Sequence, residues 1–202
     1  MTARHDDAEL LLAREAALHV EALAVLADLK LMERLAALGR PVLVGSVALG
    51  LMTWPDIDIT TLCPRLDPET TFALMRPLAT HPRIGGLRFR NDTGAWNQDP
   101  SLPDGLYWGL SYRDAAGEGW KLDLWFLHET TRQPDLEHLE SIPPRLTPET
   151  RLAILRIKEI WCRLPDYRHA VRSYDIYQAV LEHGVRAPEE FRAYLEARGT
   201  TE

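Results

Sequence analysis

The chain has 202 residues, 30 of them acidic against 23 Lys and Arg, for a formal net charge of −7. At 46% hydrophobic and 26% charged it has an ordinary globular composition, enough for one domain or one domain with a helical annex. The acidic balance argues against a general nucleic-acid binder, and the two isolated cysteines, Cys63 and Cys162, exclude a disulfide scaffold and a cysteine zinc site and fit a reducing cytoplasm. The first residues lack an apolar segment, so no secretory signal is expected. The longest nearly uncharged apolar run, residues 41–52, is too short to span a bilayer. These features point to a cytoplasmic protein that acts on a small molecule.

In chain order, residues 6–38 contain no Gly or Pro and carry apolar residues at helical spacing, which predicts one long helix or two broken ones. Gly39 is expected as its C′ residue, with Pro41 just beyond. Residues 41–44 read as a buried strand and 56–63 as a second, rich in β-branched side chains. A helix is predicted over 69–80, stopping near His81-Pro82. Three more strands follow, at 87–90, 106–113 and 120–127, the last two joined across a glycine-containing turn. Between the first two of these lies a polar loop, 91–105. Residues 133–148 contain four prolines and read as a linker. Three helices complete the chain: one capped by Thr147-Pro148-Glu149, one over 166–183 stopped by Gly184, and one from Pro188 to Gly199. The expected architecture is α/β, or α+β in some schemes. A mixed, βαβ-containing sheet follows an N-terminal helical segment and precedes a C-terminal helical bundle.

The chemistry concentrates in three places. Val44-Gly45-Ser46-Val47 reads as a strand that turns at once into a helix. Glycine permits a tight turn and close phosphate approach, and a helix N-terminus offers free N–H groups to an anion; the same turn also serves plain packing in many folds. No Gly-Lys-Ser/Thr follows, so it is not a Walker A loop. Asp56 and Asp58 stand two apart on one strand, so both carboxylates project from one face while Ile57 and Ile59 point into the core. Like charges at that spacing repel unless a cation lies between them, and Mg2+ takes such oxygen ligands; the other reading is a solvated strand face. Asp123 shares a strand face with Lys121 and Trp125, between large apolar neighbours. An unpaired carboxylate there is costly. It is either ion-paired, with Lys121 or an arginine, or a third ligand in a two-metal site.

Other candidates are less specific. Arg151 and Lys158 share a face of the helix after Thr147 and could reach a triphosphate, but Arg156 and Arg163 repeat the spacing on another face, as a solvated helix does. Trp96 and Trp108 either shape an acceptor pocket or pack. His128 is either a general base or structural. The stripe Tyr167, Val171, Tyr174, Tyr177 and Leu181 reads as the core of the helical tail.

Taken together, Val44-Gly45-Ser46, a nine-residue spacer, Asp56-Ile57-Asp58-Ile59 and a later strand acid, Asp123, resemble the nucleotidyltransferase superfamily with the DNA polymerase beta-like core. The likeness spans residues 41–127, and the small size and helical tail are most like the antibiotic nucleotidyltransferases of aminoglycoside and lincosamide type. A single glycine precedes the serine here, where many members have two. The resemblance implies that Asp56 and Asp58 ligate two Mg2+ ions and Asp123 the ion that activates the acceptor. Gly45 and Ser46 would hold the nucleoside triphosphate; Lys158 is added as a candidate phosphate ligand from its helix face alone. The implied reaction moves a nucleoside monophosphate, AMP from ATP, onto a hydroxyl of a small molecule, with pyrophosphate leaving. Alternatives are a toxin-like enzyme that modifies a protein or tRNA and a non-catalytic nucleotide-binding module. The catalytic domain is expected over 1–132, including the helices of 6–38, and the helical region over 147–199. No membrane partner and no long nucleic acid is expected.

Overall fold

The computed structural model describes residues 2–99, 102–164, 167 and 171–199. The chain forms two compact units that interleave in sequence: Leu18–Gly50 with Trp54–Glu140, and Met1–Ala17 with Leu51–Thr53 and Ser141–Glu202.

The first of these is built on five strands: β1 (Arg40–Val44), β2 (Asp56–Cys63), β3 (Ile84–Asp92), β4 (Gly105–Arg113) and β5 (Gly119–His128). They lie in the order β1-β2-β5-β4-β3. Only β2 and β5 run parallel; β1–β2, β5–β4 and β4–β3 are antiparallel. Period-2 alternation decides which side faces the core. Ile57 and Ile59 of β2, Leu106, Trp108 and Leu110 of β4, and Leu122, Leu124 and Phe126 of β5 are all buried. Each such side chain contributes about 1.5–3 kcal/mol of burial. The interposed residues, among them Asp56, Asp58, Tyr107, Lys121 and Asp123, are half-buried on the other side.

Helix α4 (Pro68–Ala79) covers part of the core face. Its N-cap Asp67 accepts the Glu69 backbone N–H, and Thr71 Oγ1 accepts the Trp108 indole N–H at 3.1 Å. Phe72 lies 4.7 Å, between ring centroids, from both Phe89 and Trp108. Trp108 is therefore a packing residue.

The N-terminal helical segment is two helices, α1 (Thr2–Asp28) and α2 (Leu31–Ala36), broken where Lys30 takes a left-handed conformation with φ +46°. Gly39 is not their C′ residue. It lies beyond the cap, where a Cβ would sit 2.2 Å from the Leu62 carbonyl oxygen, so glycine serves the close approach of the chain to β2. A five-residue helix, α3 (Gly45–Leu49), follows β1 directly.

The expected linker 133–148 contains a helix, α5 (Pro134–Ser141). Pro134 stands at its start, where the missing N–H costs nothing, and Asp135 and Glu137 occupy its first turn. The prolines bound structure here instead of dissolving it.

The second unit holds α6 (Pro148–Trp161), α7 (Ser173–His183) and α8 (Pro188–Ala197). Thr147 and Thr150 cap α6 reciprocally, each side-chain oxygen accepting the other's backbone N–H. Ile154, Ile157, Ile176, Val180 and Phe191 form the core, with Trp161 edge-on to Phe191 at 5.0 Å. Helix α7 starts at Ser173, not at 166; Asp175 accepts the Arg172 N–H and fixes the start. Tyr167 and Val171 form an isolated bridge ahead of it, and residues 165, 166 and 168–170 lie outside the described residues. Tyr177 of the predicted aromatic stripe is buried, whereas Tyr174 is exposed. Among the described residues no helix is long and apolar enough to cross a membrane.

Candidate active site

The register of the parallel pair builds the site. Asp58 of β2 is directly opposite Asp123 of β5, and Asp56 is opposite Lys121. All four side chains project from the face away from the core, because paired residues in neighbouring strands share a side. One carboxylate oxygen from each of Asp56, Asp58 and Asp123 lies within 4.8 Å of the others.

This cluster is electrostatically costly. Burial pushes the Asp58 carboxyl well above its usual range, the Asp56 and Asp123 charges push it further, and only Lys121 opposes them. Asp135, just inside α5, adds a smaller push in the same direction. Three hard oxygen donors at this spacing suit a divalent cation such as Mg2+. The strand–helix turn is shaped around the same group. Gly45 has φ +64°, and a Cβ there would lie 2.5 Å from Asp58 Oδ2. Only glycine combines that conformation with that approach. Ser46 follows it, buried in the first turn of α3.

Each outer carboxylate is held by neighbours. The Trp54 indole N–H donates to Asp56 Oδ2 at 3.1 Å. Tyr107 donates its hydroxyl to Asp123 Oδ1 at 2.7 Å, and the Lys121 ammonium donates to Asp123 Oδ2. Desolvation and the Asp123 hydrogen bond push the Tyr107 phenol upward, so it remains a donor at neutral pH. The Tyr107 ring is packed at 5.1 Å from Trp125, and the Arg90 guanidinium lies 4.9 Å over it.

No protein-family model and no curated protein sequence matches the chain. Solved structures do. A cytoplasmic RNA terminal U-transferase aligns over 81% of this chain and 47% of its own length, with 19% identity and a TM-score of 0.55. The Cid1 poly(U) polymerase in a mutant form bound to MgATP aligns over 87% of this chain and 55% of its own, with 16% identity and a TM-score of 0.57. Cid1 with the UTP analogue UMPNPP gives 13% identity and a TM-score of 0.54 over 90% of this chain and 55% of its own. The chain carries the nucleotidyltransferase fold. It spans about half the length of these structures.

Lys158 is fully buried in α6, so the solvated-face reading fails; its ammonium donates to the Leu51 carbonyl at 2.6 Å and to the Tyr177 hydroxyl at 3.4 Å. Arg151 pairs with the buried Glu15 at 2.5 Å. Both interactions lie within the helical unit. His128 ends β5 five residues beyond Asp123, about 16 Å along the strand. Its Nδ1 meets the Thr130 hydroxyl at 2.8 Å. Trp96 is 72% exposed in the loop between β3 and β4, and residues 100–101 of that loop lie outside the described residues.

Sequence reasoning passed over Tyr107, Gly109 and Trp54. A signal for one of them was available. Gly109 interrupts an otherwise bulky strand, and counting back across the β4–β5 hairpin sets it opposite Asp123.

Proposed function

We propose that this chain is a divalent-metal-dependent nucleotidyltransferase that moves AMP from ATP onto a hydroxyl of a small molecule in the cytoplasm. The observation that carries the reading is the convergence of Asp56, Asp58 and Asp123 within 4.8 Å on the side of the sheet away from its core. These three residues would hold two Mg2+ ions, whose chemistry is to offset charge on the attacking and leaving oxygens. Gly45 and Ser46 would receive the triphosphate. Lys158, whose ammonium already serves Leu51 and Tyr177, is not assigned to it. Asp123 takes the proton of the acceptor hydroxyl at a carboxylate oxygen as that hydroxyl attacks the α-phosphorus, and pyrophosphate leaves. Positioning and electrostatics carry most of the rate in such a site. The net charge of −7 favours a small acceptor over a long polyanion.

A second reading takes an RNA terminal hydroxyl as the acceptor, by analogy with the RNA terminal U-transferase of similar fold. The three intact carboxylates argue against a non-catalytic module. The test is incubation with α-labelled ATP and Mg2+ in the presence of small hydroxylated molecules, proteins or RNA, with Asp58→Asn and Asp123→Asn as controls. Label on a small molecule that both substitutions abolish is the expected result. Label on RNA alone selects the second reading, and no transfer with no MgATP binding overturns both.

A further inference from the structure

Asp123 is held from two sides by donors of different character. Lys121 reaches Oδ2 on a flexible four-carbon stem. Tyr107 reaches Oδ1 from a ring packed against both Trp125 and Arg90. Yet Tyr107 is not the residue opposite Asp123 in the sheet. Its register partner is Trp125, and the residue of β4 opposite Asp123 is Gly109. The phenol therefore leans along the strand, across the space that a side chain at position 109 would fill. A Cβ at Gly109 would lie 2.6 Å from the Tyr107 hydroxyl oxygen and 3.2 Å from Cζ, and under 3.0 Å something must shift.

A glycine inside a strand gives up packing and backbone entropy. Here it gives them up in a strand whose other members include Leu106, Tyr107, Trp108, Leu110 and Tyr112. What the omission makes possible is one hydrogen bond to the third carboxylate of the cluster.

We propose that Tyr107 is a positioning residue that orients Asp123 for divalent-cation binding, and that Gly109 is its enabling partner. This deepens the metal-site reading above and rests on it. Tyr107 fixes Oδ1, so the carboxylate plane is set before a cation arrives. Oδ2 is the exchangeable oxygen, held by the mobile Lys121 ammonium until a cation replaces it. The two β4 residues act as one unit: the tyrosine hydroxyl is the nearest atom that a Cβ at position 109 would meet, with Cζ next at 3.2 Å.

The test is calorimetric titration of the whole protein with Mn2+ alone, on wild type, Tyr107→Phe, Gly109→Ala and the double variant, each also melted to verify folding. The Phe ring retains the packing against Trp125 and removes only the hydroxyl. Tyr107→Phe is expected to weaken Mn2+ binding about tenfold, the usual scale for a lost hydrogen bond to a charged group. Gly109→Ala is expected to weaken it by a similar factor and to lower the Tm. The double variant should bind no worse than either single one and should recover part of the Tm lost in Gly109→Ala, because the methyl then meets no hydroxyl and only the ring carbon at 3.2 Å remains close. A merely structural tyrosine would leave Mn2+ affinity unmoved. Wild-type binding that Asp58→Asn abolishes but Tyr107→Phe leaves unchanged overturns this proposal alone, as does a double variant whose losses add. A wild type that binds no Mn2+ overturns the metal-site reading and this proposal together.

Discussion

The sheet unit and the helical unit both carry charged side chains that invite a functional reading, and they treat them oppositely. On the sheet, Asp56, Asp58 and Asp123 stand on the face away from the core, and strand register drives their charges together. In the helical unit, Arg151 and Lys158 occur at a spacing that suggested an anion site, and both are engaged within the unit, on Glu15 and on the Leu51 carbonyl. Repulsion concentrated at one place without an equal number of local cations marks chemistry. Charges that find a partner inside their own unit mark architecture. The difference also explains why sequence pattern served the sheet better. A period of two leaves only two faces to choose between, whereas a helix offers many, and which of them is buried depends on what packs against it.

Substitutions can break or sharpen that contrast. The largest effect is expected at Asp123 and Asp58: changing either to Asn should lower nucleotidyl transfer at least about a hundredfold, as loss of one preorganised electrostatic group does, while the protein remains folded by circular dichroism. Retained activity in both would erase the distinction between the units. Next in size is Lys158→Met, expected to cost about 1–3 kcal/mol in urea unfolding, because it leaves a buried carbonyl with its donor removed. Binding of Mn2+ to the variant should be unchanged; a weakened triad would mean that Lys158 belongs with the site after all.

The pH dependence separates the units again. Between its usual value of 3.8 and its raised value in the fold, Asp58 binds more protons in the folded state than in the unfolded one. Stability from this group is therefore present at acid pH and falls as pH rises through that window. Asp58→Asn should flatten the fall of Tm as pH rises above the usual 3.8, and saturating Mg2+ should flatten it in the wild type. A wild-type Tm that rises steadily across this range, unaltered by the substitution, would contradict the crowded-carboxylate picture. The smallest effect is local. Thr147→Ala removes one partner of the reciprocal cap on α6 and should cost about 1 kcal/mol in thermal unfolding, with no change in Mn2+ affinity.

Much of the site was legible because its parts obey local rules. The two acids of Asp56-Ile57-Asp58-Ile59 had to share a face once 56–63 formed a strand, and Ile57 and Ile59 are fully buried as the alternation requires. Gly45 marked a turn that only glycine accommodates. The misreadings arose where a residue's meaning depends on distant chain. Gly39 looked like a helix stop, yet its constraint comes from Leu62 across the β1–β2 pair. The prolines of 133–148 looked like a linker, yet Pro134 stands at the head of a helix.

Composition and period were sufficient for the strand faces, which follow from backbone geometry acting over a few residues. The order of motifs, through its resemblance to the nucleotidyltransferase superfamily, was sufficient to point to the class of fold and to the three acids. Only the tertiary structure decided that β2 and β5 are neighbours and parallel, with Asp58 level with Asp123, since strand pairing joins segments more than fifty residues apart and no local propensity encodes the partner. The same pairing decided that Gly109, by having no side chain, lets Tyr107 reach the third carboxylate. Absence of an atom carries meaning only when it is known what would otherwise occupy the space.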